Sequence, residues 1–514
     1  MARKKDTTAP PVGELMLIPF DGKMAKVIEE VMALAREYPE ILWRIGADQT
    51  ADAKEAKAMR LADTQWLADR QQALEGLELP TRQPLDPQAL ELGTGRPRMQ
   101  PRVVLLFLTL RGYYGDICSQ DTWERLVDSS TVRYYLAECG ATAMPGQSTI
   151  LENLNVLSHA TLDFMLRCQL KQVANLELDD FGELTIDSTH AESASAWPSD
   201  SSIILKLLNR AYELSQRLEL FDAPNFRPWY CPRWLRLLKN FAFEIDLTSK
   251  KSGKPHRKAY KSFLEVADKL INYLGKEFDR LNTQVLTASL CPSRRQLLGQ
   301  HWGTIENKLT DALTIVHVAQ DRVLNGNKVK REEFEKVYSV SDPGASFITK
   351  GGRETVFGYR PQLGRSANGF VSAVIVPKGN KPDSIMLEPM VNEHVRQTSV
   401  IPRTVSTDDG YANEPQRNAV FELGVKAVSI SGGKGRRMTT DEDWNSDLYK
   451  DLRRTRSAVE SLMFTGKFHF DFGAFHRCGV ENAQCEMLEK VIAHNLWRIV
   501  HEKEKRRQAE SLAA

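Results

Sequence analysis

Hydrophobic positions follow two periods along the chain, and the change from one to the other divides it. Met24, Val27, Ile28, Val31, Met32 and Leu34 recur at helical spacing, and a charged, Ala-rich stretch continues to Leu79. A Pro/Gly-marked break from Leu79 to Pro101 ends this arm. From Pro101 to about Leu178 the pattern stays helical. An apolar helix (Val103 to Leu110) meets a Gly112 to Gly115 turn, a helix surrounds Trp123 to Leu126, and a Pro145-Gly146 turn leads to Ser148. Ser148 suits the N-cap of a further helix that has Leu151, Leu154 and Leu157 on one face. Short helices joined by tight turns fit a plain bundle and a helix-turn-helix-like reader equally well.

At Gly182 the period shortens. Glu183 to Asp187 predicts a strand, and strand-like sequence resumes only at Val337 to Val340, Val356 to Leu363 and Phe370 to Val376, with Gly364 to Gly369 a loop. The intervening Ser195 to Arg331 is helical and basic, an insertion within a mixed α/β domain. After Ile375 the order is helix (Met386 to Arg396), strand (Thr404 to Thr407), turn (Asp408 to Asn413), helix (Pro415 to Leu423), strand (Ala427 to Ile430) and a Gly-rich basic loop. A long helix from Val480 carries Met487, Leu488, Val491, Ile492, Leu496, Ile499 and Val500, expected to close the core, and His501 to Arg507 is expected to be a solvated basic end. Strands first, then alternating strand and helix, is the order of an α/β ribonuclease-H-like fold.

Composition adds little until its distribution is considered. The 514 residues are 42% hydrophobic and 26% charged, within the globular range, with a net charge of +2. Between Arg227 and Lys261, however, ten Lys/Arg face two acids, an excess suited to a phosphate backbone. Seven cysteines lie scattered without a CxxC pair or zinc-ligand spacing, the usage of a reduced cytoplasmic protein. The N-terminus has no apolar segment after its basic residues, and the apolar run Val103 to Leu108 is too short to span a bilayer, so neither secretion nor a membrane partner is expected.

Three acids stand where an element ends or presents a face. Asp187 closes the strand ELTID. Asp408 comes directly after the strand TVST and precedes Asp409-Gly410-Tyr411, a turn sequence. Glu460 lies in DLRRTRSAVESLMFTGKF, where at 100° per residue Arg456 and Lys467 fall about 40° and about 20° from it on one helix face. A carboxylate between two cations suits a metal-dependent nuclease, the acid helping to hold Mg²⁺ and the cations the phosphates. An exposed i,i+4 Arg–Glu pair is the plainer reading.

Arg456-x3-Glu460-x6-Lys467 resembles the Tyr-x2-Arg-x3-Glu-x6-Lys signature of bacterial insertion-sequence DDE transposases. Thr407 to Tyr411 is similar to their segment around the second acid, Thr185 to Thr189 to that around the first, and Gly358-Tyr359-Arg360 to their Gly-Tyr-Lys strand. Gly95 to Arg98, then an apolar helix and Tyr114 to Ser119, is similar to their helical N-terminal domain, so that the likeness spans roughly residues 95 to 500 outside the insertion. Arg453 stands where the signature has Tyr, with Tyr449 one turn earlier. The resemblance implies an N-terminal helical arm (1–94), a helical DNA-binding domain (95–178), a ribonuclease-H-like catalytic domain (179–194 and 332–500), a basic helical insertion (195–331) and a basic tail (501–514).

It also implies that Asp187, Asp408 and Glu460 are the catalytic and metal-binding acids. They would hold two Mg²⁺, with Mn²⁺ able to substitute, for cleavage and joining of DNA. The expected partners are the terminal inverted repeats and target DNA, with a homodimer handling two ends. Expected DNA contacts are Arg453, Arg456, Lys467, Arg436, Arg437, Arg233, Arg236, Lys250 and Lys251. A nuclease that does not join, and a non-catalytic DNA-binding regulator, are the alternatives. Asp409 competes with Asp408; Asp342 reads as a turn former, His190 as a structural histidine, Gly432 to Arg437 as a basic DNA-contacting loop rather than a P-loop, and Trp229, Tyr230 and Trp234 as packing or base-stacking aromatics.

Overall fold

The computed structural model describes residues 22–74, 86, 89–90, 98–115, 117–195, 199–218, 229–248, 253–287, 289–327, 342–349 and 355–513, with the backbone alone at 73–74, 283–284, 286–287 and 512–513. Residues 1–21, Gly95 to Pro97, Asp116, Arg227, Lys250, Lys251 and the expected strand Val337 to Val340 lie outside those residues. The chain divides into two compact units, one of Met1–Asp52, Thr94–Ala194 and Gly344–Ala514, the other of Ala53–Gly93 and Ser195–Pro343.

The first unit is organised by a mixed sheet. Its strands are β1 (Glu183–Ser188), β2 (Ala191–Glu192), β3 (Ser346–Ile348), β4 (Val356–Tyr359), β5 (Gln362–Ser366), β6 (Val371–Ile375), β7 (Thr404–Thr407) and β8 (Ala427–Ile430). Five of them form one sheet in the order β6-β5-β1-β7-β8, and β2-β4-β3 form a smaller one. β1 runs antiparallel to β5 and parallel to β7, which is itself parallel to β8. Leu184, Ile186, Val405, Val428 and Ile430 pack with Leu387, Met390 and Val391 of the helix Leu387–Thr398 in one apolar cluster. The alternate residues of β1 and β7 therefore face the other way, as strand geometry requires.

Val356 to Leu363 is not the single strand that the sequence predicts: Arg360-Pro361 turns the chain from the small sheet into the large one. Pro361 has no N–H to give a ladder and its φ is fixed, while its carbonyl accepts Thr189 N at 2.9 Å.

The helix Pro101–Tyr114 is buried from Val103 to Gly112 and packs on the helix Val480–Ala513. A Cβ on Gly112 would lie 2.3 Å from the Glu489 carbonyl oxygen, so only glycine allows this approach. Arg111 and Glu489 are paired inside the contact at 2.7 Å. Residues 95–178 are thus not a separate body but share a core with the sheet and the C-terminal helix. The basic end is solvent-exposed at His501 and Lys505 to Arg507, as expected, yet it is helical and anchored: helix continues to Ala513, Lys503 and Glu504 pair with Glu30 and Lys26, and Arg506 donates to Leu176 O at 2.9 Å.

The second unit is helical, as expected of the insertion, with Asp200–Arg217, Pro232–Thr248, Lys254–Thr287 and Pro292–Ala319 around one apolar core. The arm 1–94 is divided between the units, since the helix Glu40–Leu74 runs from one into the other. Asp63, in its second half, accepts Ser293 N at 2.8 Å and so caps the helix Pro292–Ala319.

Two buried histidines of the first unit set a pH limit. His394 lies between Ser372 and the Phe181 carbonyl, and His494 among Phe470, Phe472 and Trp497; burial pushes both down to about 4. The folded chain therefore resists protonation that the unfolded chain accepts near 6.5. Stability is whole above that pH and declines as pH falls towards 4, by on the order of 3 kcal/mol per histidine. Urea unfolding at pH 7, 5.5 and 4.5 is expected to show this loss; a flat profile would contradict neutral burial.

Candidate active site

The site begins with a register. β1 and β7 are paired so that Thr185 lies beside Ser406, their hydroxyls 2.9 Å apart. Carried two residues further, the same offset puts Asp187 beside Asp408, on neighbouring strands about 4.8 Å apart and on the same face. Each carboxylate is pinned by a local amide: Asp187 Oδ1 accepts Ser188 N at 2.7 Å, and Asp408 Oδ1 accepts Gly410 N at 3.0 Å. Tyr411 is fully buried behind them. Its phenol is raised well above its ordinary value by burial, then by the negative charges of Asp383, Asp187 and Asp408.

The third acid comes from a helix. Asp187, Asp408 and Glu460 line one cavity of about 710 Å³, with Ser188, Thr189, His190, Arg456, Met463, Phe464, Lys467 and Phe468. The expected continuous helix through Arg456 is in fact two, Asp447–Thr455 and Ala458–His469. At the break Thr455 Oγ1 donates to Asp451 O at 3.0 Å and Ser457 Oγ to Arg454 O at 2.8 Å, hydroxyl bonds that compete with the helical ladder. The Arg456–Glu460 contact survives at 3.4 Å, and Glu460 remains 69% exposed. Lys467 Nζ lies 3.3 Å from His190 Nε2, so His190 belongs to the cavity wall and not to the core.

Asp409 is directed elsewhere. Its Oδ1 accepts the amides of Lys434 at 2.7 Å and Gly435 at 3.0 Å, at the start of the short helix Gly433–Arg437. Gly432 at φ +105° and Gly435, where a Cβ would meet Ile430 O at 1.9 Å, permit that docking. The basic loop is therefore a helical turn. Arg436 pairs with Asp441, and Arg437, exposed, donates to Gly433 O at 3.3 Å.

The remaining candidates are not among the residues that line the cavity. Arg453 lies over Trp444 at 4.1 Å and donates to its carbonyl at 2.8 Å, and Tyr449 is core. Asp342 is buried just before a turn. Trp229 is buried in the core of the second unit, Trp234 packs near Tyr273, and Tyr230 is exposed. Arg233 and Arg236 are exposed on the helix Pro232–Thr248, whose Leu235, Leu238, Ala242 and Ile245 are buried.

Two features of the site stand outside the sequence expectations. Phe464 and Phe468 are 69% and 73% exposed, their rings stacked 5.9 Å apart at 4°. Their positions four and eight residues after Glu460 put them near its helical face, a signal legible in the sequence. Asp383, a buried acid held by Arg360, Gln362 and Ser188, carries no such signal.

In donor chemistry the site fits a hard divalent cation: adjacent carboxylates offer oxygen, with no thiolate among the lining residues. Among the described residues, no group of three or more His, Cys, Asp or Glu side chains could hold a metal ion as placed. The fit is thus between two neighbouring aspartates, with Glu460 across the same cavity and turned to Arg456.

Residues 314–496 match the family described as Transposase DDE domain. The match includes Asp408, Glu460, Arg456 and Lys467 and leaves out Asp187, which precedes the insertion. No curated protein and no solved structure matches the chain. Among the described residues no helix is long and apolar enough to cross a membrane. Over residues 314–496 the chain is thus similar to a transposase DDE domain.

Proposed function

We propose that this chain is a DNA transposase that binds the ends of an insertion sequence and catalyses metal-dependent strand cleavage and strand transfer through Asp187, Asp408 and Glu460. The register of β1 with β7, which carried two residues beyond Thr185 and Ser406 brings Asp187 beside Asp408, and the cavity that both line with Glu460 carry the reading. Numbered by their order in the chain, the five strands of the large sheet run 3-2-1-4-5 with the second antiparallel to the first, which supports a ribonuclease-H-like core.

Two divalent ions, Mg²⁺ or Mn²⁺, would supply nucleophile activation and leaving-oxygen stabilisation at a phosphodiester. Asp187 and Asp408 would hold them from the sheet. Glu460 is exposed and meets Arg456 through an i,i+4 contact at the surface, so it can turn to the ions without losing buried packing. That turn frees Arg456 to take a phosphate beside Lys467. The exposed rings of Phe464 and Phe468 would accept an unpaired base next to the reacting strand. In the second unit Arg233, Arg236 and Lys239, and Lys254, Arg257, Lys258 and Lys261, are exposed on two helices and would add phosphate contacts. Two such chains, one per end, would make the working complex.

Replacing Asp187, Asp408 or Glu460 by Ala is expected to lower cleavage of end-bearing DNA by roughly 10³-fold, about 4 kcal/mol of barrier, while gel shifts show end binding largely retained. Asp409→Ala, which removes only a helix cap, should still cleave and lose about 1 kcal/mol of stability. An Asp187→Ala chain that cuts at the wild-type rate would sink the assignment. With a pre-cut end and a target plasmid, joining supports the transposase, cutting alone a nuclease, and binding alone a regulator.

Phe464→Ala and Phe468→Ala should together reduce processing of duplex ends by roughly tenfold, with a smaller loss on ends carrying unpaired terminal bases, since stacking contributes about 1–3 kcal/mol per base. Equal losses on both substrates would contradict a stacking role.

A further inference from the structure

Asp383 opens the 3-10 turn Asp383–Ile385 after β6 and is 5% exposed. Its Oδ1 accepts Gln362 Nε2 at 3.0 Å, and its Oδ2 accepts Ser188 Oγ at 3.2 Å and pairs with the Arg360 guanidinium. Arg360 Nε donates to the same Ser188 hydroxyl at 3.1 Å. Gln362 in turn accepts the phenol of Tyr411. On the other side the turn after Asp408 packs against the carboxylate so closely that a Cβ on Gly410 would lie 3.2 Å from Asp383 Oδ2. One buried acid thus touches the residue after Asp187 and the turn that pins Asp408.

With both oxygens engaged by protein donors, Asp383 is poorly placed as a metal ligand itself. Its effect is on charge and position. Arg360 is only 18% exposed, and it acts on Tyr411 together with Asp383, Asp187 and Asp408. A cation so little exposed is costly without a partner, and Arg360 already donates to the hydroxyl of Ser188, the residue after Asp187, so without Asp383 its charge would turn towards the aspartates at the strand ends. A guanidinium bound there would occupy the oxygens that a divalent ion needs.

We propose that Asp383 is a positioning residue of the metal site: it holds Arg360 back from Asp187 and Asp408 and ties together the backbone on which both aspartates stand. The proposal rests on the reading of those aspartates as metal ligands. It explains why an acid–guanidinium pair stands against both the residue after Asp187 and the turn after Asp408.

The test measures Mn²⁺ binding to the full chain without DNA, by loss of the free-ion paramagnetic resonance signal, with melting temperature and end binding as controls. Asp383→Asn keeps the shape and removes the charge; it is expected to weaken Mn²⁺ binding by about tenfold or more, the size of effect seen when the partners behind metal ligands are changed. Adding Arg360→Gln should return the affinity towards wild type, which a merely structural role for Asp383 would not do. Arg360→Gln alone, useful if Asp383→Asn folds poorly, should bind Mn²⁺ as well as wild type or better. Unchanged affinity in Asp383→Asn, no rescue in the double variant, or a loss in Arg360→Gln alone would overturn the proposal. Asp187→Ala separates the two levels: if it abolishes Mn²⁺ binding while Asp383→Asn does not weaken it, only the role of Asp383 fails, whereas unchanged binding in Asp187→Ala removes the metal reading beneath it.

Discussion

The parallel pairing of β1 with β7 is the constraint on which the site depends. A parallel register sets residues of equal offset side by side and on one face, so the pair Thr185–Ser406 obliges Asp187 and Asp408 to stand together. A slip of one residue would turn one aspartate towards the apolar cluster of Leu184, Ile186 and Val405. The hydrophobic face of the sheet therefore protects the polar one. Burial of Ile186 against the helix Leu387–Thr398 is also what aims Asp187 at the cavity.

Two acids at neighbouring strand ends repel each other, and the surroundings manage that cost with fixed partners. Local amides hold one oxygen of each aspartate, Asp383 takes the charge of Arg360, and Asp409 serves a helix start instead of adding a further charge to the cavity. Glu460 differs, being exposed and weakly held by Arg456. The site thus combines a rigid pair on the sheet with a third carboxylate able to move.

The helix Val480–Ala513 plays the supporting part. It carries Glu486, Glu489 and Lys490 into the interior, where they pair with Arg111, Arg477 and one another. Lys490 also donates to the carbonyls of Asp471 and Ala474, at 2.8 and 2.6 Å. Such pairs add little net stability over apolar packing, but breaking one leaves a buried charge unmatched. They fit only one arrangement of the helix Pro101–Tyr114, the loop 471–477 and the C-terminal helix.

Much of this was determined locally and could be read from the chain. The strands Thr404–Thr407 and Ala427–Ile430, the strand β1 that carries Asp187, the helical insertion and the spacing of Arg456, Glu460 and Lys467 all depend on near neighbours, whose periodicity and turn residues are written in sequence. Tertiary structure alone decided the division of the strand at Pro361, the packing of the helix Pro101–Tyr114 into the first unit, and the burial of Asp383 between Arg360 and Ser188. Each of these turns on which distant groups meet once the core has closed. A side chain's charge and shape are set by its own position, but the partner that uses them comes from elsewhere in the chain, and no local pattern encodes that choice.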